Sequence, residues 1–506
     1  MLNACAISGG RVDRRSACPG LFRMTEAADG RICRVKLSCG RLSTSQARAV
    51  ADVAERHGNG IIELTSRANL QLRGIGPDNA DDVIVALMEA GLGPLVPEGD
   101  DIRNVMVNPT AGIDTNLAFD TLPLAGSLLE TLQTTPAYYA LSPKFSILID
   151  GGEACAHTEH TSDIWIAATE DGERFVFGLA SCPPVAPSFP LAGIEERSAV
   201  GQGKANDLAF PATNVAEQTD GGGDACTSVF SKSANVTTPI RPLTRAPSPQ
   251  GGRRESALGT VHLENARALV TGLLDLFLEL SATRPGVTRM KHLLAEMPAS
   301  DVLERLKTRL AFSIAPADNW HRAAPRPFAH LGVHPQWQEG LAYAGAAAPL
   351  GRLTPERLRA IADIAAEANG GQIRLTPWQG VLLPDITENQ APSVLERLSA
   401  TGLIDEPGHP LADIITCSGS TGCVSALADT QTDAAKLAGL LDEAAPVHLT
   451  GCPKSCAAIR PAPATLVAVG QGRYDLFLRQ PAGPSRFGRL LAANITIEEA
   501  ALLLKA

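Results

Sequence analysis

No run of 18 or more apolar residues occurs in this sequence of 506 residues, so nothing in it is expected to span a membrane. The first 20 residues lack an uninterrupted apolar stretch, broken by Arg11, Asp13, Arg14 and Arg15, and no signal peptide is expected. Basic excess is missing too. The net charge of −10 and a pI near 5.6 argue against a nucleic-acid partner. Aromatic residues are few, 4%, although a hydrophobic fraction of 44% suffices for full cores. No Gly-x-Gly-x-x-Gly follows a strand and opens a helix, so NAD(P)H would act through a separate protein. The length calls for roughly two to four domains, and a soluble cytoplasmic protein is the expectation.

Cysteine is what the chain does have. Eleven are present, an odd number that argues against a fully bridged extracellular protein. Four stand apart: Cys417 and Cys423 enclose Ser-Gly-Ser-Thr-Gly and, 28 residues later, Cys452 and Cys456 enclose Pro-Lys-Ser. Small residues between the first two, and Gly451 and Pro453 at the second pair, let the backbone wrap closely around a compact anionic object. Four thiolates in such loops suit an iron–sulfur cluster, each iron taking one cysteine. Zinc is the alternative, with His448 able to stand in for a thiolate, but it prefers tighter pairs and neither pair is C-x2-C. Cys5, Cys18, Cys33, Cys39, Cys155, Cys182 and Cys226 follow no metal spacing and read as small buried hydrophobes.

The second signal is an internal repeat. Residues 40–91, shifted by 311 positions, fall on 351–402 without a gap, and 18 of the 52 positions are identical. Gly40-Arg41-Leu42 returns as Gly351-Arg352-Leu353, and Leu64-Thr65 as Leu375-Thr376. Each copy reads strand, helix, strand, helix: a strand at 32–37, a helix at 44–56, strands at 61–64 and 70–72, and a helix at 79–90. Two distant copies suggest a duplicated half packed about a pseudo-twofold axis, with a seam suited to a ligand. Between them, 144–150 and 164–179 read as strands, the latter a hairpin turning at Glu170-Asp171-Gly172, followed by helices at 263–280 and 302–310. Residues 183–259, rich in Gly, Ser, Pro and Thr, read as a flexible insert. Beyond the second copy a helix is expected to start at 424–428, its positive end toward the cluster, with another at 433–443. Strands are expected at 447–449 and, last in the chain, at 474–478.

Repeat and cysteine quartet together resemble the sulfite and nitrite reductases over almost all of the chain outside the insert. The resemblance implies an α+β fold: two ferredoxin-like repeats related by a pseudo-twofold, plus two α/β domains binding cluster and tetrapyrrole. Mapped here, the repeats are 20–95 and 332–408, the first α/β domain is 96–182 with 260–325, and the cluster domain is 409–506. In that family the quartet, here Cys417, Cys423, Cys452 and Cys456, holds a 4Fe–4S cluster, and the last cysteine bridges to the iron of a sirohaem. Cys456 is therefore the expected catalytic cysteine. Basic and amide side chains grip substrate and tetrapyrrole carboxylates, which maps onto Arg34, Arg67, Gln71, Arg103, Asn104 and Lys144. Trp378 stands where the second copy would carry the mate of Arg67.

Three departures break the reductase pattern: Ser146 replaces a lysine, Glu63 an arginine and Lys454 an asparagine. Ala17-Cys18-Pro19-Gly20, Asp29–Arg34, Phe145–Asp150 with its following glycines, Ser425–Thr430 and Lys454 resemble instead one branch, the precorrin-3B synthases. That resemblance implies conversion of precorrin-3A, O2 and a reductant to precorrin-3B on the aerobic route to cobalamin. Carbon 20 is hydroxylated and a ring A acetate closes a γ-lactone. It further implies a 4Fe–4S cluster, precorrin-3A in the cavity that sirohaem fills elsewhere, and an external donor, a ferredoxin or an NAD(P)H-linked reductase. A mononuclear non-haem iron is a further candidate cofactor; His157 and His160 with Glu159 or Asp163 form the local cluster of suitable ligands. The alternatives are a sirohaem-dependent sulfite or nitrite reductase and a non-enzymatic iron–sulfur electron carrier.

Overall fold

The computed structural model describes residues 18–186, 257–317, 319–458, 462–480 and 485–505. Nearly all of the expected insert, 187–256, lies outside them, as do Cys5 and Cys226. Four five-stranded sheets organise the rest.

The two repeats are interlocked by exchanged strands. In the first sheet Thr25–Ala27, Gly30–Val35, Leu70–Ile75 and Ile62–Leu64 are completed by Arg352–Leu353 from the second copy. In the other sheet Gly332–Pro335, Leu341–Ala347, Gly380–Thr387 and Gln372–Leu375 are completed by Arg41–Ser43 from the first. Apolar side chains of both copies, from Leu21 to Leu403, therefore form one continuous core. Helices Thr44–His57 and Pro355–Asn369 start at Ser43 and Thr354, whose hydroxyls accept the N–H of Gln46 and Arg357.

The copies match in backbone detail. Left-handed residues recur 311 positions apart: Cys39 at φ +57° and Leu350 at +51°, Ala68 at +53° and Gln379 at +59°, Gly74 at +68° and Asp385 at +57°. A non-glycine residue there costs about 1 kcal/mol or more, so such positions persist only where the fold demands the turn. Ion pairs across the two helices are symmetric as well: Arg48–Asp363 and Arg359–Asp52 are both 2.7 Å, and each residue is the other pair's mate.

The remaining sheets share one topology, three parallel strands followed by two antiparallel ones. In the first, Val105–Val107, Ile147–Asp150 and Ser162–Ala168 run parallel, continued by Arg174–Ser181 and Gly259–His262. Helices Leu122–Thr134 and Ala266–Ala282 contribute to its core. In the second, Ile414–Thr416, Val447–Thr450 and Ala464–Gly470 run parallel, continued by Arg473–Leu478 and Arg489–Ile495. The strand at 489–495 and helix Ile497–Lys505 follow the one expected to be last.

One local expectation fails. Residues 424–428 are not helical; a single turn at Gly419–Gly422 lies between Cys417 and Cys423, and the next helix is Thr430–Leu440, capped by Asp429. The N–H of Leu427 donates to the carbonyl of Gly451 and that of Ala426 to Cys423, so this backbone ties the two cysteine loops together instead of coiling.

Leu42 and Leu353, mates on the exchanged strands, are each 2% exposed. Leu42→Ala and Leu353→Ala should each cost about 2–5 kcal/mol in chemical denaturation. Arg48→Ala, on an exposed pair, should cost no more than about 1 kcal/mol. Similar losses for all three would mean that the exchanged strands are peripheral.

Candidate functional site

Cys417 directly follows strand Ile414–Thr416, and Cys452 follows Val447–Thr450 by two residues. The two adjacent parallel strand ends thus deliver both cysteine pairs to one edge. The Gly451 N–H donates to Cys417 Sγ at 3.2 Å, and the Thr430 hydroxyl lies 3.4 Å from it. A Cβ at Gly451 would fall 2.5 Å from Ala426 Cβ and 3.6 Å from Cys417 Sγ, so glycine is required for this approach. All four thiols are free of disulfides, and Cys456 is exposed. Burial, and then the charges of Cys452, Cys423 and Cys417, raise the Cys456 pKa against the opposing effect of Lys454. Four thiols with N–H donors and small residues around them have the chemistry that suits an iron–sulfur cluster, although as they stand among the described residues no three of these side chains are placed to hold a metal ion. His448 does not join them. It is fully buried in its strand, neither ring nitrogen has a partner among the described residues, and burial with Arg486 lowers its pKa to about 4.

A cleft whose about 550 Å³ of empty space includes open solvent lies between the first repeat and the first α/β unit, with Pro377 of the second repeat also on its lining. Arg67, Asn69, Asn108, His157 and His160 are on its walls. The Arg67 guanidinium makes no hydrogen bond or ion pair among the described residues, and burial, then the like charges of Arg289 and Arg34, pull its pKa down to about 10. Arg34 donates to Gln71 Oε1 through Nε at 3.1 Å and Nη2 at 2.5 Å, and burial lowers its pKa.

Other expected ligand-binding residues are engaged by the chain itself. Arg103 lines the cavity, but its terminal nitrogens donate to the carbonyls of Gly93 and Leu92 and to Asp100. Asn104 Nδ2 donates to the carbonyls of Asp101 and Pro143. Gln71 donates onward to Glu63 at 3.1 Å and so joins Arg34 to a buried hub. Lys144 is exposed and is not among the cavity's lining residues.

Glu63 is that hub. It is buried, 8% exposed. Oε1 accepts from Arg352 at 2.9 Å and from the Ser418 hydroxyl at 3.1 Å; Oε2 accepts from Arg73 at 3.2 Å and from Gln71. Arg73 continues to Asp29 and, at 2.7 Å, to the carbonyl of Gly422. One carboxylate thus joins the first repeat, the exchanged strand of the second and the first cysteine loop.

The candidate iron triad is not assembled. Asp163 accepts from Arg289 Nε, at 2.8 and 2.7 Å, and from the N–H groups of Met290 and Ser146. Glu159 is exposed. His157 and His160 do meet, 6.3 Å apart, but their neighbours are Trp378, edge-on to His157 at 5.6 Å, and His330 stacked on that indole at 4.2 Å. Among the described residues no three His, Cys, Asp or Glu side chains are placed to hold a metal ion.

Behind Asn108 the first α/β unit repeats the cluster's layout with different chemistry. Asn108 follows strand Val105–Val107 as Cys417 follows Ile414–Thr416, and the loop after Ile147–Asp150 carries Glu153 where its counterpart carries cysteines. Asn108 Nδ2 bridges Asp150 at 2.9 Å and Glu153 at 2.6 Å, while Arg322 pairs with Asp150 at 2.6 Å. With Asp150 holding the arginine, burial and then the Asp150 charge push Glu153 up to about 8. The folded chain therefore keeps a proton that the unfolded chain releases near its ordinary value of 4.5, and this group costs stability as the pH rises between those values.

Two outcomes are expected. Glu153→Gln copies the protonated form, so its thermal midpoint should gain on the wild type between about pH 5 and about pH 8, and a constant difference contradicts the assignment. Glu63→Arg sets a third guanidinium against Arg73 and Arg352 and should destabilise by at least about 3 kcal/mol, read by denaturation. An unchanged midpoint would remove Glu63 from the hub role.

The description "nitrite/sulfite reductase ferredoxin-like half domain" matches residues 25–90 and 334–401. The "nitrite and sulphite reductase 4Fe-4S domain" matches 98–314, the α/β unit that shares its topology with the cysteine-bearing one. A ferredoxin–nitrite reductase of Synechococcus elongatus is 28% identical over 467 residues, covering 89% of this chain and 78% of that protein. A precorrin-3B synthase of Sinorhizobium sp is 28% identical over 508 residues, covering 96% and 91%. The fold is also that of the Mycobacterium tuberculosis NirA protein, with a TM-score of 0.63 at 20% identity over 93% of this chain and 79% of that one. With interlocked half domains and a paired α/β architecture, the chain belongs to the nitrite and sulfite reductase superfamily of oxidoreductases.

Proposed function

We propose that the chain is a precorrin-3B synthase, an O2-dependent monooxygenase that hydroxylates precorrin-3A at carbon 20 and sets its γ-lactone during aerobic cobalamin biosynthesis. One oxygen atom enters the substrate and the other leaves as water, with two electrons and two protons drawn from an external donor and solvent. The observation that carries this reading is Glu63. Reduction of a small oxyanion asks for free cations at that place; here a carboxylate holds Arg73 and Arg352 instead. The precorrin-3B synthase relative, which matches 91% of its own length, supports the same reading.

In this account the cavity receives the macrocycle. Arg67, with no partner of its own, and Arg34, held in place by Gln71, bind peripheral carboxylates, for which forked donors are suited. Arg103 and Asn104 hold the wall's backbone in shape, and Lys144 is left for a carboxylate that reaches the surface. Cys417, Cys423, Cys452 and Cys456 would hold a 4Fe–4S cluster, which when bound supplies single electrons. A ferredoxin or an NAD(P)H-linked reductase is the proposed donor. A sirohaem-dependent nitrite or sulfite reductase is the second reading, favoured by the nitrite reductase relatives at similar identity.

The test is turnover of precorrin-3A under isotopically labelled O2 with a reducing system. Incorporation of one labelled oxygen is expected, together with its loss in Cys456→Ser alongside an altered iron–sulfur spectrum. No incorporation by the cluster-loaded wild type, with reduction of nitrite or sulfite in its place, overturns the proposal.

A further inference from the structure

Arg289, outside every motif of the chain, stands at the start of helix Met290–Glu296. Both oxygens of Asp163 receive its Nε, and Asp163 is only 1% exposed. Asp163 also accepts the N–H groups of Ser146 and Met290, so the arginine is gripped by an acceptor that is itself fixed. The terminal nitrogens of Arg289 make no hydrogen bond among the described residues, and the side chain is 16% exposed. Asp163 lies three residues from His160, which lines the cavity, while Asp163 and Arg289 are not themselves lining residues.

Arg67 closes the argument from the other side. Its guanidinium is also without a partner, and the like charges of Arg289 and Arg34 act on it more strongly than the opposing charge of Asp163. Arg67 lines the cavity, and Arg289, not itself a lining residue, acts on it by charge; with Asp163 already bonded to Arg289 and to two backbone N–H groups, the two cations are held against their own repulsion by the fold. An anion between them removes that cost, and a carboxylate matches two guanidinium forks.

We propose that Arg67 and Arg289 form a two-sided clamp on one peripheral carboxylate of the cavity's ligand, with Asp163 as the positioning residue that orients Arg289. The clamp rests on the tetrapyrrole reading of the cavity. It places an arginine beside Ser146, where the reductase pattern led one to expect a lysine.

The probes are uroporphyrin III, with eight carboxylates, and coproporphyrin III, with four, titrated against the full-length protein by fluorescence. The wild type should bind uroporphyrin more tightly. Arg67→Gln and Arg289→Gln should each weaken it about tenfold or more. The double variant should lose much less than the product of the two, because both act on one group. Asp163→Asn should weaken binding in the wild-type background and do nothing further on top of Arg289→Gln, a dependence that a general loss of stability does not produce. Arg289→Lys, which keeps the charge and loses the fork, covers the case of a poorly folded glutamine variant and should show a partial loss. Wild-type affinity in Arg289→Gln with a clear loss in Arg67→Gln overturns the clamp and leaves the tetrapyrrole reading standing. No binding of either porphyrin by the wild type overturns both.

Discussion

Glu63 brings a negative charge into a nearly dry place and finds four donors there: Arg73, Arg352, Gln71 and the Ser418 hydroxyl. Each comes from a different part of the architecture or leads to one. Arg352 belongs to the strand that the second repeat lends to the first, Ser418 to the first cysteine loop, and Gln71 leads on to Arg34. Removing one partner of such a network leaves a buried charge uncompensated, a loss of about 3–5 kcal/mol. On the proposed reading, the same carboxylate puts a negative charge where the reductase pattern has an arginine. Architecture and chemistry therefore turn on one side chain.

The pseudo-twofold explains why this has no counterpart. The mate of Glu63 is Arg374 and the mate of Arg352 is Arg41, and those two residues are paired in register on the second sheet. Two like charges cannot bond, so Arg374 donates to the carbonyls of Pro109 and Ala111 and anchors the first α/β unit instead. A duplicated frame thus has one end that holds a cysteine loop and one that holds a strand end. The α/β units diverge likewise: cysteines converge at one strand edge, and at the other Asn108, Asp150, Glu153 and Arg322 form a closed knot of hydrogen bonds. Symmetry supplies the scaffold, and substitutions at mated positions give its two ends different work.

Much of this was legible in the sequence because it rests on short-range pattern. The ungapped repeat, the strand–helix alternation and the cysteine spacing all survive in a string of letters. Strand exchange does not, since Arg41–Ser43 looks the same whichever sheet receives it. Glu63 was visible as a departure but its partners were not; Arg352 is 289 residues away. Arg103 and Asn104 matched a motif, yet the structure shows them holding backbone carbonyls, because a motif records residue type and not the direction of a side chain. Arg289 carried no signal, as its orientation comes from Asp163, 126 residues distant. The helix expected at 424–428 failed because the Leu427 N–H has its partner in the second cysteine loop and the Ala426 N–H turns back to Cys423. The strand at 489–495 is an exposed edge with an irregular register, and such strands lack clean alternation.

The central claim is that the cavity is kept for a tetrapyrrole that arrives as substrate rather than one that resides as cofactor. The absorption spectrum of anaerobically purified protein, followed by acid–acetone extraction, tests it most directly. The account predicts a broad iron–sulfur band and either no extractable tetrapyrrole or a bound precorrin. Stoichiometric sirohaem in the extract would contradict it and return the chain to the reductases.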